Sequence, residues 1–151
     1  MPVFAVVDTS VLVSAFINPA GYPAMAVEAA RRGRYVPVMS PQLLDELQQV
    51  LARPRILRAI KSPENHAGQF LQDLGELTKM VDITGSLRLC RDVTDDMVLE
   101  TAIRGHASYV VSRDGDIVRS LDLMQRLEAQ GIRAVTVSHF LKELSQLATS
   151  S

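Results

Sequence analysis

Five short apolar runs rich in β-branched residues, at 3–7, 36–39, 80–83, 109–112 and 134–137, alternate with longer stretches whose apolar residues recur at helical spacing. This alternation limits the fold more narrowly than any other feature of the chain. The short runs suit buried strands. The stretches between them, at 10–17, 24–32, 41–52, 64–77, 95–104 and 123–130, with a closing helix at 139–147, suit helices that cross back over a sheet. An α/β architecture with a mostly parallel sheet, covered on both faces, is expected. The 151 residues, 47% of them hydrophobic, suit one domain with a sizeable core and leave no room for a second. That domain is expected over residues 1–147, with the "ATSS" end, 148–151, as a flexible tail.

Several function classes are disfavoured. The net charge of −1 gives no overall cationic footprint, so nucleic-acid binding would need a local basic patch or metal ions. The start of the chain lacks the features of a signal peptide, and no apolar stretch reaches the roughly 18 residues of a spanning helix. No membrane partner is expected, and a cytoplasmic location is. The single cysteine, Cys90, can form neither an internal disulfide nor a zinc pair and reads as a buried small hydrophobe in a reducing compartment. The glycines punctuate loops and helix ends without building GxGxxG or a phosphate loop.

The acids carry the functional signal. In "FAVVDTSVLV", Asp8 directly follows the first strand, at the carboxyl edge where open parallel sheets bind ligands. Alone, it reads equally well as the cap of the helix that follows. In "SPQLLDELQQVLARP", Leu43, Leu47, Val50 and Leu51 form a buried stripe, and Glu46 lies beside it on a helix that leaves the same edge. An ion pair with Arg53 is its ordinary alternative. In "RDVTDDMVLETAIRG", Asp95 stands three, four and seven residues before Val98, Leu99 and Ala102, which places it on the core-facing side and turns Asp96 toward the rim. A helix cap by Thr94 or Asp95 is the alternative there. In "YVVSRDGDIV", Asp114 and Asp116 follow the fourth strand, and taken in isolation a solvated acidic turn explains them better than a site does. Together, four segments bring Asp8, Glu46, Asp95 and Asp114 or Asp116 to one edge. Such a cluster must hold protons or cations, and an all-oxygen donor set suits Mg2+ or Mn2+ rather than zinc. Two such ions roughly 4 Å apart can activate water and stabilise a leaving oxygen in phosphodiester hydrolysis.

With these blocks in order, nearly the whole chain resembles the PIN-domain ribonucleases, in particular the toxins of bacterial toxin–antitoxin pairs (VapC-like). "VVDTSVLVSAF" is similar to the family's opening strand and acid, "SPQLLDEL" to its second acidic site, "DDMVLETA" to its third and "YVVSRDGDIV" to its fourth. By position, Asp8, Glu46, Asp95 and Asp114 look like the acidic quartet. Asp116 and Asp96 are auxiliary to it, and Ser10 is the hydroxyl that orients Asp8 or a metal-bound water. The family usually has Asn where Ser10 stands; Ser keeps a hydrogen-bonding group but loses the amide donor. The resemblance further implies a three-layer α/β/α sandwich around about five strands, Mg2+ or Mn2+ dependence (one or two ions), RNA as substrate, homodimerisation, and inhibition by a small cognate antitoxin.

Arg53, Arg55, Arg58 and Lys61 follow the Glu46 helix and could hold an RNA backbone, although charge runs of this kind are usually a solvated face. His66, His106 and His139 fit no metal spacing, and the few aromatics offer no stacking platform. Two rivals remain. A weak or inactive PIN-like module that binds RNA or protein would be expected to have lost one of its acids. A phosphate-handling enzyme or receiver domain would show D-x-D after the first strand and a lysine after the fifth, where "VTVSHF" stands.

Overall fold

The computed structural model describes residues 2–60, 66–113 and 121–150. Five strands form one all-parallel sheet in the order β3-β2-β1-β4-β5. They are β1 Phe4–Val7, β2 Val36–Met39, β3 Lys79–Met80, β4 Tyr109–Ser112 and β5 Arg133–Thr136. The helices are α1 Thr9–Ile17, α2 Tyr22–Arg31, α3 Pro41–Leu51, α4 Pro54–Ala59, α5 Ala67–Leu77, α6 Val93–Arg104, α7 Leu121–Ala129 and α8 Val137–Ser150. The expected α/β sandwich with a parallel sheet of five strands is therefore what the chain forms.

The strand order decides where a site can lie. From β1 the chain passes through α1 and α2 to β2 on one side, whereas from β4 it passes through α7 to β5 on the other. Right-handed crossovers in opposite directions put their helices on opposite faces. Accordingly α1 packs on α2 and α2 on α8, while α6 packs on α7 and against β1 and β2. The order reverses between β1 and β4, and the carboxyl ends of those two strands open a crevice there. The N–H of Asp8 donates to Val111 O at 2.9 Å, so Asp8 sits at that crevice.

Between the layers lies an apolar core. Val6, Val38, Val110 and Val111 of the sheet and Phe16, Leu47, Leu99 and Phe140 of the helices are at most 2% exposed. Phe140 meets the rings of Tyr35 and Tyr109 at centroid distances of 4.9 and 5.3 Å, edge to face. Among the described residues, no single helix is long and apolar enough to cross a membrane.

Several expected boundaries shift, each for a local reason. The third strand was expected at 80–83 but spans Lys79–Met80. After Val81 N–H reaches Met39 O the chain turns away, and Ile83 O is taken by the side-chain amide of Gln42 on α3. The helix expected over 41–52 stops at Leu51, and Pro54 opens a separate helix, α4, that the sequence reading did not separate from the basic run. The third acidic helix starts at Val93 rather than Asp95, because Asp92 is its N-cap and accepts the N–H of Thr94 at 2.8 Å.

Candidate active site

The site is built on the ends of β1 and β2. Where β1 stops, Asp8 is the N-cap of α1 by its backbone: its carbonyl accepts Val11 N–H at 2.9 Å and Leu12 N–H at 3.3 Å. Its carboxylate makes no capping bond, so the helix-cap alternative does not account for that side chain. It accepts instead from Ser10 Oγ at 3.1 Å. The N-terminal end of α1 adds a positive dipole end that favours anions here.

Ser40 ends β2 and caps α3, its hydroxyl accepting Leu43 N–H at 3.4 Å. The Ser40 and Thr101 hydroxyls are hydrogen-bonded at 3.0 Å, both fully buried, which ties the start of α3 to α6. Glu46 lies one turn further along α3, half-buried, and accepts from Thr9 Oγ1 at 3.1 Å. Desolvation raises its carboxyl above the usual range. The Thr9 hydroxyl opposes that rise, the charges of Asp8 and Asp92 add to it, and Arg53 reduces it. Asp8, Glu46 and Asp92 therefore share one electrostatic environment, with Arg53 beside them.

Two of these residues escaped the sequence reading. Thr9 was passed over for Ser10, although a hydroxyl directly after a strand-end acid is equally able to reach a neighbouring element. Asp92 carries its signal in the capping pattern Asp-x-Thr ahead of an apolar-periodic stretch.

The expected contrast between Asp95 and Asp96 is reversed in burial. Asp96 is 2% exposed, whereas Asp95 in the same first turn is half-buried. Helical phase correctly buries Val98, Leu99 and Ala102 against the sheet, but α6 has a second covered side where residues 81–92 cross it, and Asp96 points there. Backbone N–H groups of Cys90 and Leu89 outweigh the cost of burial and hold the Asp96 carboxyl below its usual range. Cys90 is half-buried, and burial together with the Asp96 carboxylate pushes its thiol up to about 12, so it is inert.

Asp114 and Asp116 lie outside the described residues, as does Lys61. Arg53, Arg55 and Arg58 are exposed on and before α4. His139 is engaged with Glu143 at 2.9 Å. Among the described residues no three acidic, His or Cys side chains form a complete metal cage. The donors near Glu46, carboxylates and hydroxyls, suit a hard divalent cation, which would relieve both the burial that chiefly raises the Glu46 carboxyl and the smaller push of the Asp8 and Asp92 charges.

Comparison with known proteins gives the family. Residues 5–116 match the PIN domain. The chain is also similar to the uncharacterized protein MJ1680 of Methanocaldococcus jannaschii, at 25% identity over 143 residues that cover 93% of this chain and 91% of the relative.

Proposed function

Because the chain belongs to the PIN-domain family, whose fold is of nuclease type, we propose that it is a metal-dependent endoribonuclease that hydrolyses RNA phosphodiester bonds. The observation that carries this reading is Glu46, raised chiefly by burial and further by the charges of Asp8 and Asp92, near the point where the strand order reverses. Carboxylates brought together at a ligand-binding edge, with one of them held above its usual range, are arranged for a cation rather than for stability.

Asp8, Glu46 and Asp95, with Asp114 and Asp116 from the segment after β4, would hold Mg2+ or Mn2+. When bound, one or two such ions supply a polarised water and charge stabilisation on the scissile phosphate. The chain's own groups do the positioning. Ser10 fixes the Asp8 carboxylate, Thr9 fixes that of Glu46, and the N-terminal end of α1 favours the anionic phosphate. Arg53, whose charge reaches Glu46, and Arg55 would hold the RNA backbone beside the acids. On the resemblance of the four acidic blocks, the same reading extends to the toxin of a toxin–antitoxin pair that acts as a homodimer and is held in check by a small antitoxin.

The test is cleavage of a labelled RNA with Mg2+ or Mn2+, set beside a matching DNA and a phosphomonoester. Metal-dependent cutting of RNA alone, abolished in Asp8→Asn, supports the proposal. Undiminished cleavage in excess EDTA sinks it. Metal-independent RNA binding without cleavage would instead make the chain a binding module.

A further inference from the structure

The connection from β3 to α6, residues 81–92, lies outside helix and strand and is gripped by α6 itself. Glu100 accepts the N–H of Thr84 at 2.8 Å, its hydroxyl at 2.9 Å and the N–H of Gly85 at 3.2 Å. One turn earlier on the same side of the helix, Asp96 Oδ1 accepts the N–H of Leu89 at 2.9 Å and of Cys90 at 2.7 Å. Both carboxylates are sealed from water, at 2% exposed for Asp96 and 6% for Glu100. Asp96 Oδ2 is buried as well, without a geometric hydrogen bond among the described residues, and the Cys90 thiol lies against this carboxylate. An apolar residue at 96 would leave the Leu89 and Cys90 N–H groups without that acceptor, so the buried carboxylate is a fixed anchor for this stretch of backbone. Such an anchor can serve a task beyond packing.

Its position supplies one. Asp92 follows Cys90 by two residues and caps the helix. Asp95 immediately precedes Asp96. The two candidate acids therefore flank one clasp, and α6 packs against α3, which carries Glu46. We propose that Asp96 is a positioning residue: by holding the Leu89–Cys90 backbone it fixes where Asp92 and Asp95 stand at the mouth of the site. Without the clasp, the N–H groups of Leu89 and Cys90 turn to water and Asp92 loses its fixed distance from α3. Glu100 grips the far end of the same connection, so its loss loosens the fold without displacing Asp92. The consequence for metal rests on the nuclease reading, whereas the clasp itself does not.

The experiment combines amide hydrogen exchange with Mn2+ calorimetry on the wild type, Asp96→Ala, Asp96→Asn, Asp96→Glu and Glu100→Gln. In Asp96→Ala, the amides of Leu89 and Cys90 should lose protection, those of Asp92 and Asp95 should shift, and Mn2+ affinity should fall by about tenfold or more. Asp96→Asn keeps the accepting Oδ1 and should restore affinity to within about threefold of wild type. Glu100→Gln should lower the melting temperature and leave Mn2+ affinity unchanged. If Asp96→Ala does not fold, Asp96→Glu keeps the charge but moves the acceptor by one methylene, and should weaken Mn2+ in its place. Unchanged protection at Leu89 and Cys90, or lost protection with unchanged Mn2+ affinity, overturns the proposal. If the wild type binds no Mn2+, the nuclease reading fails separately. The clasp is then judged on exchange and on the Asp92 and Asp95 resonances, which must move in Asp96→Ala.

Discussion

Thr9 Oγ1 donates to Glu46 Oε2 at 3.1 Å, joining residues 37 apart in the chain and bridging the end of β1 to the middle of α3. Asp8, the neighbour of Thr9, receives its own hydroxyl from Ser10. Two adjacent hydroxyls thus hold two different carboxylates, one within its own turn and one across the crevice. The division explains why a short polar pair follows the strand-end acid.

Thr9→Val, which keeps the shape and removes the hydroxyl, tests this bridge. The Thr9 bond opposes the rise in the Glu46 carboxyl, so its loss should raise that carboxyl further, as read by NMR titration. Stability should change by no more than about 1 kcal/mol, the net worth of one such bond. The Mn2+ concentration needed for half-maximal cleavage should rise several-fold. An unchanged Glu46 titration would show that the bond does not act on the site.

Two glutamates, Glu46 half-buried and Glu100 buried, should give opposite pH signatures in metal-free protein. Glu46 is raised in the folded state, so between its unfolded and folded pKa the native form binds more protons and stability falls as pH rises through that window. Glu100 is lowered: desolvation is outweighed by its bonds from Thr84, Gly85 and Arg104. Its contribution is present above the unfolded pKa and is lost as pH falls through the folded one. Melting curves with EDTA between about pH 4 and pH 7 should therefore show Glu46→Gln gaining on the wild type as pH rises. Glu100→Gln should fall behind, by about 1–3 kcal/mol at neutral pH. Curves that stay parallel to the wild type would contradict both assignments.

The legible part of this molecule follows from where each pattern has a single cause. Strands β2 and β4 were bounded to the residue, because runs buried on both faces stand out against polar flanks. Asp8 and Glu46 were found because each interrupts, or borders, an otherwise apolar face. Asp96 was misplaced because its burial comes from the connection 81–92, and no period in α6 records a segment that crosses it without regular structure. The short β3 has the same origin, since Gln42 captures the chain three residues after the strand ends. Asp92 and Thr9 act through single hydrogen bonds or charges between elements, which spacing does not encode.

Three helices that feed strands end alike, and one of them does so at a cost. After α2 and α7 the chain turns through Gly33 at φ 73° and Gly131 at φ 75°, and after α6 through His106 at φ 55°. In each case the next N–H reaches back five residues: Arg34 to Ala29, Ile132 to Leu127 and Ala107 to Ala102, all within 3.0 Å. A β-carbon is unfavourable in this left-handed conformation, and the His106 side chain is exposed. His106→Gly should stabilise the protein by about 0.5–1 kcal/mol without altering the site. A lower melting temperature would show that the imidazole contributes a contact of its own.

The residue before it is constrained for a different reason. Gly105 has an ordinary φ of −85°, so backbone strain does not demand glycine there. Space does. A β-carbon on Gly105 would lie 2.3 Å from Val38 Cγ1 and 3.0 Å from Thr101 O. Val38 is 0% exposed in the middle of β2, and its branched side chain has few rotamers to escape into. Gly105→Ala must therefore push α6 away from β2, which should cost about 1–3 kcal/mol as overpacking. Because β2 leads through Ser40 into α3, and Ser40 is bonded to Thr101 on α6, the displacement should also weaken Mn2+ binding at Glu46. A double-mutant cycle isolates the cause. Val38→Ala alone should destabilise by leaving a cavity. If the clash is with Val38 Cγ1, however, Gly105→Ala should cost less in the Val38→Ala background than in the wild type, with a coupling of about 0.5–3 kcal/mol. Additive effects would assign the close approach to the Thr101 carbonyl instead, and a wild-type melting temperature for Gly105→Ala would remove the packing argument altogether.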